Sequence, residues 1–326
     1  MTYNNLSLIE HIERWGHASS IALLDPRCLI FSTPGIEGII GYRSHAQCMV
    51  VFGDPVCPQE ALMPCMQAFH SFAQERVKSI VYAMASEKFT NWTLDQKICH
   101  SAISIGNEII LNPLCDIKTL TGNYARLLRN QCTYAVRQGM TVKEHNDGDP
   151  LIDQALEEVK QAWLANRKGP QAYFFSQINL FEHRENKRYF YVEYYQTIVG
   201  FIMLNRINSY QGWVLNIMMM LPDLPTSTSG FLVMSTLDAL RQEQCAFVSI
   251  GTTPSATLDR IEGLNSMTAW MARHTYKVIN NLFKLSERQR YWKKFHPTSS
   301  PTFIAVNRPK FGLREGIAIM RAFNVF

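Results

Sequence analysis

No run in this 326-residue sequence approaches the ~18–20 consecutive apolar residues that a membrane-spanning helix needs. The longest candidate, 214–221, is interrupted by Asn216 and has the length of a strand. None of the eight cysteines forms a CxxC pair, and no Cys/His group has zinc spacing. No metal site is therefore expected, and the thiols read as buried and reduced. The first ten residues lack a basic segment followed by an apolar one, so a secretory signal is not expected and a cytoplasmic setting is. Charge is sparse at 18%, apolar residues reach 47%, and the net charge is +5. These values describe a globular chain long enough for two cores, and they exclude a disordered one. A net charge of this size does not by itself imply nucleic acid.

Acid is also missing locally. Between Asp116 and Glu144 there is no acidic residue, whereas Lys118, Arg126, Arg129, Arg137 and Lys143 are all basic. Arg126, Arg129 and Arg137 share one stripe of a helix, and Tyr124, Leu128 and Ala135 lie on the other side. Such a helix can dock by its apolar side and present cations to a polyanion.

The segments flanking this helix share one order of elements. In the first, a helix over 6–15 precedes short strands at 20–24, 28–32, 38–42 and 47–52. Gly53-Asp54-Pro55 breaks the pattern, and Leu62, Met66, Phe69 and Ala73 then mark a helix. Strands at 79–84 and 103–111 follow. In the second, a helix over 151–165 precedes a hairpin at 188–195 and 197–205 and a strand at 213–220. Pro222 to Pro225 breaks the pattern before a helix carrying Val233, Leu237 and Leu240, and a strand at 246–250 ends in Gly251-Thr252-Thr253-Pro254. Strands, breaker, helix, strand is the order of an N-acetyltransferase-like (GNAT) fold. The expected class is α/β (α+β): two tandem GNAT-like domains, 1–117 and 144–326, joined by a basic helix over 118–143. One large mixed α/β domain is the alternative.

GNAT enzymes that use acetyl-CoA carry a glycine-rich loop whose N–H groups cradle the pyrophosphate. The corresponding stretches here are 56–59 and 226–230, and neither has paired glycines. Acetyl-CoA is therefore not expected, and no cofactor is assigned.

The chain resembles the C-terminal catalytic region of lysyl- and alanyl-phosphatidylglycerol synthases, nearly end to end. The resemblance rests on Gly41-Tyr42-Arg43, Gly53-Asp54-Pro55, Ile105-Gly106-Asn107-Glu108, Leu127-Leu128-Arg129-Asn130, Gly200-Phe201, Gly251-Thr252-Thr253-Pro254 and Lys294-Phe295-His296-Pro297. It implies transfer of an aminoacyl group from aminoacyl-tRNA to a hydroxyl of a phosphatidylglycerol-like lipid. An ester on tRNA is already activated, so such a transfer needs only positioning and stabilisation of the oxyanion. On this reading Lys118, Arg126, Arg129 and Arg137 are tRNA-binding candidates. The family's many-helix membrane module has no counterpart in these residues. The expected partners are thus aminoacyl-tRNA, an anionic lipid or the inner face of a membrane, and a separate membrane protein.

The tail from Lys284 to Arg314 holds eight Lys or Arg opposed only by Glu287, with Tyr291, Trp292 and Phe295 interleaved. Aromatics beside cations suit a stacked nucleotide or an anionic headgroup. Thr252, Arg290 and Tyr291 are the substrate-binding candidates.

Departures from the family pattern bear on the chemistry. An Asp-x-x-Arg pair of the family falls on Asn216 and Met219, the first lysine of its Lys-x-Lys-Phe motif falls on Trp292, and a family acidic residue is replaced near Gln171. Asn216 can orient a group but cannot act as a base. Asn216, Glu193 and Lys294 are the catalytic candidates, with Asp54 read as a turn-former and Glu108 as a further carboxylate. No histidine pairs with a Ser or Cys as a triad. Two other functions stay open: a catalytically impaired tRNA- or membrane-binding protein, and a CoA-dependent acyltransferase. Both main readings predict a groove between the halves, lined by the central helix.

Overall fold

The computed structural model describes residues 5–145, 148–166, 178–283 and 287–324. Gln171 and Lys284 lie outside them. In the first half α1 (Asn5–Trp15) is followed by β1 (Leu29–Thr33), β2 (Ile36–His45) and β3 (Cys48–Phe52). Next come α2 (Leu62–Gln74), β4 (Ser79–Ser86), α3 (Glu87–Asp95) and β5 (Ser101–Leu111). The expected strand at 20–24 is instead a 3-10 helix, Ala18–Leu24. Its start is held locally, where the His17 N–H donates to Ser20 Oγ at 3.0 Å. A short apolar run does not distinguish the two.

The central helix α4 spans Asn123–Arg137 and leads into β6 (Thr141–His145) and α5 (Pro150–Ala165). Three strands follow: β7 (Lys187–Tyr194), β8 (Thr197–Ile207) and β9 (Gly212–Met220). Then come α6 (Ser227–Gln242), β10 (Val248–Pro254) and the two-residue β11 (Ile261–Glu262). The chain closes with α7 (Ser266–Phe283), α8 (Glu287–Trp292), β12 (Thr298–Val306) and α9 (Leu313–Ala322).

All the strands join one sheet in the order β1-β2-β3-β4-β12-β5-β10-β9-β8-β7-β6, with β11 on β5. The expected mixed α/β architecture is present, with one feature that element order does not convey. β3 runs parallel to β4 and β9 parallel to β10, and the last strand of each half crosses to the other. β12 lies beside β4, and β5 lies beside β10. The two exchanged strands pair antiparallel at the centre.

Pro301 sits in β12, a position that normally argues against a central strand. Residues 298–301 pair only with β5, and pairing with β4 begins at Thr302. At Pro301 the strand is locally an edge, where a missing donor is tolerated.

Apolar alternation fills both faces. In β3, Val50 and Phe52 face α1 and α9, while Met49 and Val51 face α2. In the second half Phe190, Val192, Ile202, Leu204 and Leu215 pack beneath α4 and α6. Tyr189, Tyr191, Phe201, Met203, Ile217 and Met219 pack against α5 on the other face.

Candidate active site

Glu108 and Thr252 are register partners across β5 and β10, the strands that join the halves. Gly106 makes this approach possible, since a Cβ there would stand 2.3 Å from the Thr253 carbonyl oxygen. Ser249 Oγ donates to Glu108 Oε1 at 2.5 Å. Burial raises the Glu108 pKa, and Ser249 and His17 oppose the rise. A carboxyl so placed keeps its proton above the usual carboxylate range and can act as an acid.

Asp54 approaches the same place from the turn after β3. Gly53 has φ +71, and a Cβ on it would meet Ser19 Oγ at 2.0 Å, so the turn needs glycine. Asp54 accepts from the Ser86 N–H at 2.8 Å and from Ser86 Oγ at 2.6 Å. His17 Nε2 stands 3.9 Å from Asp54 Oδ2, and His17 Nδ1 is 2.8 Å from the Tyr210 hydroxyl. Tyr210 stacks on Phe247, with ring centroids 4.5 Å apart. Asp54 thus holds Ser86, the N-cap of α3, and His17 has a carboxylate and a phenol as neighbours. The sequence reading missed His17 because these groups are remote in the chain and include no Ser or Cys.

A cavity of about 480 Å³ opens between residues 8–30 of the first half and 178–216 of the second. Leu8, Ile12, Ile21, Leu23, Leu24 and Ile30 line it together with Lys187, Asn205, Arg206 and Asn216 and with the acidic Glu13, Asp25 and Glu182. The size and mixed lining suit an amphipathic ligand. The segment 12–25 joins the two places, with Ile12 and Leu23 in the cavity wall and His17 in the cluster. The cavity is the groove between the halves, but α1 and the 3-10 helix line it in place of α4.

Asn216 is the extra residue of a β-bulge. Met203 pairs with Ile217 and Leu204 with Leu215, leaving Asn216 without a register partner. Its Nδ2 donates to Asn205 Oδ1 at 3.0 Å. Lys187 is half-buried, with its pKa lowered to about 8 by desolvation, and donates to the carbonyls of Asn179, Leu180 and Glu182.

The other two catalytic candidates stand elsewhere. Glu193 lies toward the far end of β7 from Lys187, where it accepts from Lys143 at 2.7 Å. Lys294 is buried, with Nζ 4.1 Å from the Tyr291 ring centroid and 5.0 Å from that of Phe295. Its neighbours Trp292 and Phe295 belong to the α4 and α6 face, opposite the face on which Asn216 opens. Burial lowers its pKa to about 8, and no carboxylate pairs with it among the described residues. Tyr291 is pushed up to about 12 by burial, with Ser229 nearby, and Arg290 is exposed. Met219 and Trp292, where the resemblance expects Arg and Lys, are core side chains at 0% and 3% exposure.

The basic group divides. Lys118 pairs with Asp238 of α6, and Arg129 donates to the Lys118 and Leu120 carbonyls at 2.9 and 2.8 Å. Arg126 and Arg137 are exposed, with no ion pair among the described residues. No group of three or more His, Cys, Asp or Glu among those residues is arranged to hold a metal.

The family model described as phosphatidylglycerol lysyltransferase, C-terminal, matches residues 9–306. The chain belongs to that family. No curated protein matches it. The C-terminal domain of a candidate lysylphosphatidylglycerol synthetase from Agrobacterium fabrum superposes with a TM-score of 0.75 at 18% identity, covering 98% of this chain and 96% of that one. The L-PGS from Bacillus licheniformis superposes with a TM-score of 0.76 at 15% identity, covering 98% and 97%. FemX gives 0.55 at 9% identity over 99% of each chain. Two motifs of the family resemblance, Gly53-Asp54-Pro55 and Ile105 to Glu108, meet with Thr252 of a third at the junction of the halves.

Proposed function

We propose that this protein transfers an aminoacyl group from aminoacyl-tRNA to a hydroxyl of an anionic glycerophospholipid, with the junction of the halves as its reacting centre. The observation that carries this reading is the approach of Asp54, Glu108 and Thr252 in a chain of the phosphatidylglycerol lysyltransferase family, whose halves also enclose a cavity of mixed apolar and polar lining.

The lipid headgroup lies at Asn205, Asn216 and Arg206, and the first methylenes of its chains lie against Leu23, Leu24 and Ile30. In the tautomer with Nδ1 donating to Tyr210, His17 Nε2 keeps its lone pair and takes the acceptor proton. Asp54 stabilises the imidazolium so formed. The lipid oxygen bonds to the aminoacyl carbonyl carbon as the bond to the ribose oxygen breaks. Glu108 gives the departing oxygen a proton, Thr252 orients the ester, and solvent resets both groups. Arg126 and Arg137 hold the tRNA backbone, whereas Lys118 and Arg129 fix α4 in its place.

The test supplies tRNA charged with labelled amino acids and vesicles containing phosphatidylglycerol. Label passing into the lipid phase is expected. Label that stays on tRNA across a broad set of charged tRNAs, while the folded protein binds them, overturns the proposal and favours a binding protein without chemistry.

A further inference from the structure

Helix α7 turns its apolar ridge outward. Met267, Trp270 and Met271 are 74%, 58% and 55% exposed, and His274 is also exposed. They occur at i, i+3, i+4 and i+7, the spacing of a single helical face. The opposite side seats the helix. Ala269 is buried, the Tyr276 hydroxyl donates to the carbonyl of Ser255 at 2.7 Å and to that of Ile105 at 3.0 Å, and Asn280 donates to that of Ala256 at 3.3 Å. The ridge is therefore not the helix's own route into the core.

Charge identifies what the ridge meets. Arg273 and Lys277 flank it and are exposed, with no ion pair among the described residues. No acidic residue occurs between Glu262 and Glu287. An amphipathic helix with Trp and Met on one side and cations at its margin lies in the plane of an anionic interface. The rings of Trp270 and His274 lie tilted against each other with centroids 4.2 Å apart, an amphipathic pair that suits the headgroup level, where such rings collect. No helix among the described residues is long and apolar enough to cross a membrane, so such an attachment would be lateral.

We infer that the face of α7 formed by Met267, Trp270, Met271, Arg273 and Lys277 docks the protein on an anionic lipid bilayer. This deepens the proposed lipid acceptor, on which it rests for its purpose, by assigning the surface that meets the membrane. None of the ridge residues belongs to the Glu108 cluster.

Flotation with vesicles tests it, using the full chain with phosphatidylcholine alone or mixed with phosphatidylglycerol. The protein floats with the mixed vesicles and stays in solution with the pure ones. W270D/M271D lowers the bound fraction about ten-fold or more without changing Tm, since both side chains are exposed. R273E/K277E lowers it to the level of the wild type in high salt. Transfer to an acceptor dispersed in detergent continues in W270D/M271D. Four results overturn docking: no flotation of the wild type, undiminished flotation of W270D/M271D, a dimer that W270D/M271D converts to monomer in place of vesicle binding, or loss of tRNA binding with flotation intact. Flotation as described with no aminoacyl transfer in any form upholds docking and removes the proposed reaction.

Discussion

Thr252 of β10 stands directly across from Glu108 of β5, at the seam where the last strand of the first half has crossed to the second. The pairing sets a threonine opposite a glutamate whose pKa burial has raised and whose carboxyl accepts from Ser249 Oγ. Its chemical meaning depends on Glu108 being an acid in the working state.

E108Q tests that role. Removal of a general acid lowers turnover by about 10²–10⁴-fold. The wild type loses activity with rising pH as Glu108 gives up its proton, and E108Q lacks that limb in its pH–rate profile. The stability sign is also fixed. With its folded pKa above the unfolded value, Glu108 contributes stability that is full below the ordinary carboxylate range and is lost as pH rises through the raised value. E108Q therefore gains in Tm relative to wild type as pH increases through that range. Equal activity and parallel Tm curves would remove Glu108 from the mechanism.

Lys294 is a buried cation with aromatic rings for company and no carboxylate partner among the described residues. K294M fills the same space without charge, so Tm at neutral pH rises. The unfolded chain binds more protons than the folded one between about 8 and 10.5, the lowered and ordinary values for Lys294. Its cost is complete below that window and fades across it, so the gap between K294M and wild type narrows as pH rises. Thermal melts of the two proteins across this range check the trend.

R126E/R137E weakens tRNA binding and flattens its salt dependence, because each lost phosphate contact removes roughly 0.7–0.9 from the slope of log affinity against log salt. K118M/R129M acts differently. It breaks the Asp238 pair and the carbonyl contacts that seat α4, so it lowers Tm more than it lowers binding. Filter binding across a salt series, beside thermal melts, separates the two.

A305P probes the strand exchange. Ala305 is fully buried and pairs with Tyr82 on one side and Ala102 on the other. Proline there removes a ladder donor in the middle of the sheet, and soluble protein is lost. P301A, in the stretch with one neighbour, shifts stability by no more than about 1 kcal/mol. Soluble A305P with a wild-type melt would contradict the exchange.

Periodicity made α2, α4, α5, α6 and the β7–β8 hairpin legible, because each has a strong apolar pattern of one period. β12 was not legible, since Thr298 to Pro301 reads as a loop and becomes a strand only through β5. The ridge of α7 was overlooked because an amphipathic pattern does not say which face points inward. Among site residues, Asn216 was reached through the resemblance and opens into the cavity. His17 and Tyr210 were beyond reach, because 193 residues separate them and only the folded chain joins them.

The most direct measurement is single-turnover transfer. Labelled aminoacyl-tRNA is mixed with excess protein and phosphatidylglycerol vesicles, and label in the organic phase is followed over time for wild type, H17A and E108Q. The account predicts transfer by the wild type, and a rate reduced at least about a hundred-fold in each variant while tRNA binding is retained and both variants stay folded. Transfer by both variants at the wild-type rate, or none by a wild type that binds both substrates, would contradict it.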